Sequence, residues 1–196
     1  MILLGLDFDN TLVCYDKLFH QIAVERLLID ESLKADKITI RDYLRSEGKD
    51  ADFTLLQGEV YGSRILDAEP AEGMLESLKD IKKKGIEMVI VSHKTLRPFK
   101  GPQYNLHEAA LSWLKKYHFF SEQGLNLPLD SVYFEETKGE KVKKISTLGC
   151  THFIDDLPEI LQMIPGDLNK IFYSNNQAPS SEYINMNHWS ELKELI

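Results

Sequence analysis

Cysteine is almost missing from this chain: Cys14 and Cys150 are the only two. They are too few for a disulfide framework, and they do not resemble a metal-binding pair. A reduced, cytoplasmic protein is the expectation. Positive charge is also short, with 23 Lys and Arg against 31 Asp and Glu and a formal net charge of −8. That argues against a general nucleic-acid binder, because neutralising a phosphate backbone takes a net basic surface or at least a basic stripe. The one basic run, Lys82-Lys83-Lys84, reads as the solvated end of a helix, where cations complement the carbonyl dipole. Long apolar runs are lacking as well. The amino-terminal one meets its first acid at Asp7 and carries neither a basic leader nor a small-residue cleavage site, so no signal peptide and no membrane span is expected. Repeats and low-complexity tracts are absent. What remains, 196 residues with 43% hydrophobic and 28% charged content, suffices for one good core, or for one core with a small accessory lobe.

The stretch Met1-Ile2-Leu3-Leu4-Gly5-Leu6-Asp7-Phe8-Asp9-Asn10-Thr11-Leu12 organises the rest. An apolar run too short for a helix leads into two carboxylates one residue apart and then into turn formers, the pattern of a buried parallel strand ending at a site. In open α/β sheets ligands collect at the carboxyl ends of the strands, so acids placed there point to chemistry. Two crowded carboxylates repel unless something positive lies between them, and oxygen-only ligands suit a hard cation such as Mg²⁺. Alone, an acid-x-acid tripeptide is explained as well by a structural turn. A calcium loop of the EF-hand type is excluded, because Leu12 and Leu18 stand where it needs glycine and glutamate.

Further along, Leu18, Phe19, Ile22, Ala23 and Leu27, then Ile40, Tyr43 and Leu44, then Phe53, Leu56, Val60 and Tyr61 keep helical spacing, which predicts an all-helical insert over residues 15–68. Met74, Leu75, Leu78 and Ile81 stripe a helix closed by Gly85. Buried strands are expected at Ile86–Val91, delivering Ser92 and His93, at Ser131–Phe134, at Thr151–Ile154, ending in Asp155-Asp156, and at Lys170–Tyr173. Helices striped by Ala110, Leu111, Leu114 and Tyr117, by Val142, Ile145 and Leu148, by Ile160, Leu161 and Ile164, and by Trp189, Leu192 and Leu195 separate or follow them. The alternation predicts an α/β fold, a doubly wound and mainly parallel sheet formed by residues 1–14 and 69–196, with the small helical insert between.

Parallel strands put their carboxyl ends on one edge, so Asp7, Asp9, Ser92, Lys138, Asp155 and Asp156 are expected to converge. Each has a dull explanation alone, a turn or a helix cap, but their joint placement favours a site. The set resembles the haloacid dehalogenase superfamily. Its first motif, acid-x-acid-x-Thr after a hydrophobic strand, is matched by Asp7-Phe8-Asp9-Asn10-Thr11, its second by Ser92, its third by Lys138 at a helix start, and its fourth by Asp155-Asp156. Lys141 lies one helical turn beyond Lys138; the helix start favours Lys138, because a residue one turn in would sit farther from the strand edge.

The resemblance implies a Mg²⁺-dependent phosphatase acting on a small phosphorylated metabolite through an aspartyl phosphate. Asp7 would be the nucleophile and Asp9 the acid and then base, with Ser92 and Lys138 on the non-bridging oxygens. Asp7, Asp9 (through its carbonyl) and Asp155 would hold the metal, and Asp156 would orient the metal shell or the lysine. The insert at 15–68 resembles the superfamily's cap. Asp9 marks the phosphoryl-transfer members, and the cations Lys94 and Arg97 in the loop of residues 94–105 are candidate substrate contacts. A sugar-phosphate mutase sharing the same residues stays open, as does a catalytically silent phosphate-binding module. A signalling receiver domain is excluded by motif order, since its acidic pair comes with the first strand. Oligomeric state is not readable.

Overall fold

The computed structural model describes residues 2–174 and 180–196; Met1 of the expected first strand lies outside them. In chain order the elements are β1 (Leu3–Leu6), β2 (Val13–Cys14), α1 (Asp16–Glu25), α2 (Lys37–Ser46), α3 (Asp50–Tyr61), β3 (Glu69–Pro70), α4 (Met74–Lys83), β4 (Glu87–His93) and α5 (Leu106–Lys116). There follow β5 (Val132–Glu135), α6 (Lys138–Leu148), β6 (His152–Asp155), α7 (Pro158–Met163), β7 (Asn169–Tyr173), β8 (Ile184–Met186) and α8 (Leu192–Leu195). None of the described helices is long and apolar enough to cross a membrane.

The chain divides into two compact units. One comprises Met1–Val13, Pro70–Lys94 and Tyr117–Ile196, the other Cys14–Glu69 and Thr95–Lys116. In the first unit six strands form one sheet in the order β5-β4-β1-β6-β7-β8, and every neighbouring pair is parallel. The chain builds outward from β1 through β4 to β5, then crosses back to start again at β6. That reversal makes the gap between β1 and β6 a topological switch point, the place where doubly wound sheets bind ligands. The expectation of a doubly wound parallel sheet holds.

Alternation of side chains gives the strands two apolar faces. Val89, Val91, Phe153 and Phe172 pack on one face with Ile145 of α6 and Ile160 and Leu161 of α7. At Gly5 of β1 a neighbour comes close, because a Cβ there would stand 2.3 Å from the Phe153 ring. The expected terminal helix is a 3-10 turn at Trp189–Glu191 followed by the short α8. The strand β8 has no counterpart in the sequence reading, because Ile-Asn-Met offers no apolar run.

The second unit is helical. Phe19 stacks on Phe53 at 5.8 Å between ring centroids and meets Tyr61 edge-on at 5.7 Å, joining α1 to α3. This unit takes in more than the expected insert, since residues 95–116 group with 14–69 rather than with the sheet. The Trp113 indole of α5 donates to the Ala68 carbonyl at 2.9 Å. Gly58 and Gly62 on α3 admit the loop before α5, where a Cβ at Gly62 would sit 2.6 Å from the Tyr104 ring.

Candidate functional site

The first unit carries the site. β1 runs into Asp7, whose N–H still donates to Ile154 O of β6 at 2.9 Å, so the ladder holds the residue level with the end of β6. The chain then turns: Leu12 and Val13 N–H both return to Phe8 O, and Asn10 takes a left-handed conformation at φ 58°. Asparagine tolerates that region better than most side chains, which suits it to the turn. Thr11 is buried beneath the turn, and its hydroxyl donates to one Asp7 oxygen at 3.2 Å.

β6 delivers Asp155 and Asp156. Asp155 is fully buried, and one of its oxygens accepts the Leu157 N–H at 2.9 Å. Carboxylate oxygens of Asp7, Asp155 and Asp156 lie within 4.8 Å of one another, and all three residues are buried. Among them stands Lys141. Its ammonium donates to Asp7 at 2.5 Å and to Asp155 at 2.6 Å, and the side chain is 2% exposed. Burial works against the Lys141 charge, but Asp7 and Asp155 outweigh it and hold the ammonium well above its ordinary pKa. Burial raises the Asp155 carboxyl, Asp7 adds to that rise, and Lys141 opposes it.

Lys138, expected at the phosphate, points elsewhere. Its ammonium pairs with Glu159 at 2.6 Å on a half-exposed surface. The expectation failed because it measured helix position by the backbone. Helical side chains tilt toward the amino terminus, so a long side chain one turn into α6 reaches back to the strand edge. A capping box between Thr137 and Glu140 fixes the start of α6 and thus the direction of Lys141.

Ser92 is the next-to-last residue of β4. In the β1–β4 register Leu6 faces Ile90, which carries Ser92 level with the segment Asp7-Phe8. Its hydroxyl is buried without a hydrogen-bond partner among the described residues, a costly state that in native proteins calls for an explanation. Asp9 stands apart from the three-acid cluster. Both of its oxygens accept from the Lys94 ammonium at 2.9 Å, so Lys94 lies on Asp9, and sequence spacing gave no signal of that pairing. Arg97 belongs to the other unit, where it is exposed and donates to Gln103 O at 2.5 Å.

The donor set fits a divalent cation. Three buried carboxylates face one another, two of them paired with the Lys141 ammonium, and an oxygen-only cluster of acids is the chemistry that a hard cation satisfies. Asp7, Asp155 and Asp156 would hold it by their side chains.

Neither a family model nor a curated protein sequence matches the chain. Solved structures do match in fold. A HAD-superfamily hydrolase from Ehrlichia chaffeensis is 16% identical and matches over 97% of this chain and 93% of its own, with a TM-score of 0.58. A phosphoserine phosphohydrolase-like protein from Francisella tularensis subsp. tularensis SCHU S4 is 17% identical over 100% of both chains, with a TM-score of 0.57. A dehalogenase is 14% identical over 100% of this chain and 97% of its own, with a TM-score of 0.60. The chain therefore has the fold of the haloacid dehalogenase superfamily of hydrolases. Its neighbours in that fold include both a phosphohydrolase-like protein and a dehalogenase.

Proposed function

We propose that the protein is a Mg²⁺-dependent phosphatase that hydrolyses a small phosphate monoester through an aspartyl phosphate on Asp7. The observation that carries this reading is the buried hydroxyl of Ser92, on the strand neighbouring Asp7, which has no hydrogen-bond partner among the described residues. A phosphoryl oxygen would supply the missing acceptor. Asp9 supports phosphate rather than carbon–halogen chemistry: in the superfamily that the chain resembles, an acid two residues after the nucleophile marks the phosphoryl-transfer members, and expelling an ester oxygen calls for a proton donor.

In this mechanism an Asp7 oxygen attacks phosphorus, the bond to the ester oxygen breaks, and a protonated Asp9 gives its proton to that oxygen. Water then attacks the aspartyl phosphate and loses a proton to the Asp9 carboxylate, and the bond from phosphorus to Asp7 breaks, restoring both acids. The Ser92 hydroxyl and the Lys141 ammonium hold the non-bridging oxygens, and catalysis consists mostly of such positioning and charge neutralisation. Bound Mg²⁺ supplies further positive charge, which lets an anionic nucleophile meet an anionic phosphate. Asp9 would add its main-chain carbonyl to the three carboxylates of the metal shell.

A panel of phosphate monoesters assayed with Mg²⁺, with and without excess chelator, tests the reading. Turnover should vanish on chelation and return with Mg²⁺. A phosphoryl group should be found on Asp7 by mass spectrometry after rapid quenching. Undiminished turnover in excess chelator, or a phosphoryl group on another residue, would overturn it.

A further inference from the structure

Lys94 is the feature of the site that the mechanism above leaves unused. Its ammonium touches both Asp9 oxygens at 2.9 Å, and its side chain is only 3% exposed, against 24% for Asp9. The lysine is itself held. Its N–H donates to Glu135 O at 2.9 Å, and its ammonium lies 5.4 Å from the centroid of the Phe8 ring, which meets Phe134 edge-on. A buried cation in a fixed socket thus grips a short, partly exposed carboxylate that sits on a turn.

We propose that Lys94 is a positioning residue that acts through Asp9, fixing by its contacts to both carboxyl oxygens where that group stands relative to the ester oxygen. The inference rests on the phosphatase reading. As a cation in the loop of residues 94–105, Lys94 is also a candidate substrate contact, and the two roles differ in what they predict. A substrate contact lowers KM for every substrate that carries the group it binds. A positioning residue matters only where proton transfer limits, because proton transfer depends steeply on donor placement and a misplacement of about 1 Å costs about 100-fold.

The test compares Lys94→Met and Lys94→Arg with the wild-type protein, using an aryl phosphate, whose leaving group needs little protonation, and an alkyl phosphate, whose leaving group needs much. Single-turnover release of the alcohol reports the first chemical step. Lys94→Met should slow release from the alkyl phosphate about 100-fold while leaving the aryl burst within a few-fold, with KM for both nearly unchanged. Lys94→Arg, which keeps a cation against Asp9, should recover part of the alkyl rate. In an Asp9→Asn background Lys94→Met should add little further loss, because both changes remove one function. Equal losses on the two substrates, a raised KM at unchanged kcat, or additive losses with Asp9→Asn would overturn the proposal. A wild-type protein that turns over neither ester with Mg²⁺ present would instead remove the phosphatase reading, and this inference with it.

Discussion

Replacing Lys141 with methionine keeps the apolar stem and deletes only the ammonium that touches Asp7 at 2.5 Å and Asp155 at 2.6 Å. Two buried carboxylates are then left without their shared partner, and the third, Asp156, lies within the same cluster. Removing one member of a buried ion pair costs about 3–5 kcal/mol, because the remaining charge stays desolvated, and the metal-free protein at neutral pH should lose that much. Lys138→Met is the control. Its pair with Glu159 is 37% and 62% exposed, and such surface pairs are worth about 0–1 kcal/mol. The penalty at Lys141 should depend on pH with a definite sign. Asp155 has a folded pKa raised above its ordinary value, so its contribution is full below the unfolded value and is lost as pH rises through the folded one. Deleting Lys141 removes the influence that lowers this pKa, so the loss deepens: the variant should stand closer to wild type at pH 5 than at pH 8. Urea unfolding with EDTA present, extrapolated to water at several pH values, measures this directly. Mg²⁺ should narrow the gap by taking up the stranded charge. A Lys141→Met variant within about 1 kcal/mol of wild type at pH 7.5 in EDTA, or a penalty that grows toward acid, would refute the reasoning.

Gly5→Ala should cost about 1–3 kcal/mol in the same unfolding assay, because the added methyl meets the Phe153 ring at 2.3 Å between two central strands; a neutral result would mean that the ring swings aside freely. Burial pushes the Cys150 thiol up to about 11, so at pH 8 it should react with a thiol reagent only slowly until denaturant exposes it, and brisk labelling of Cys150 in the folded protein would contradict that environment.

Much of the sheet was legible because fully buried parallel strands announce themselves as uninterrupted apolar runs bounded by polar residues, as Met88–Val91 between Glu87 and Ser92 does. β8 lacks such a run, and its parallel pairing with β7 is a tertiary fact that local composition does not encode. Asp7, Ser92, Asp155 and Asp156 could be placed together from strand ends alone. Lys141 could not be preferred over Lys138 without the direction in which helical side chains lean. The grip of Lys94 on Asp9 was hidden for another reason: a lysine in a polar loop reads as a candidate substrate contact, and only its burial against a neighbouring acid reveals otherwise. Likewise the helical spacing in residues 106–116 marks a helix without saying which of the two units it joins.

The central place of β1 has a consequence for synthesis. Its hydrogen bonds on one side go to β6, and the first contacts across that seam join residues 148 positions apart. At about 5–20 residues per second a ribosome needs about 7–30 s to cover that distance, and during that time one edge of an uncharged apolar strand has no native neighbour to pair with. Exposed segments of this kind seed aggregation, so the nascent chain should lean on holding chaperones until β6 emerges. The same delay keeps Asp7 away from Asp155 and Asp156, and a chain stalled before residue 155 therefore carries the would-be nucleophile without the acids that complete its cluster.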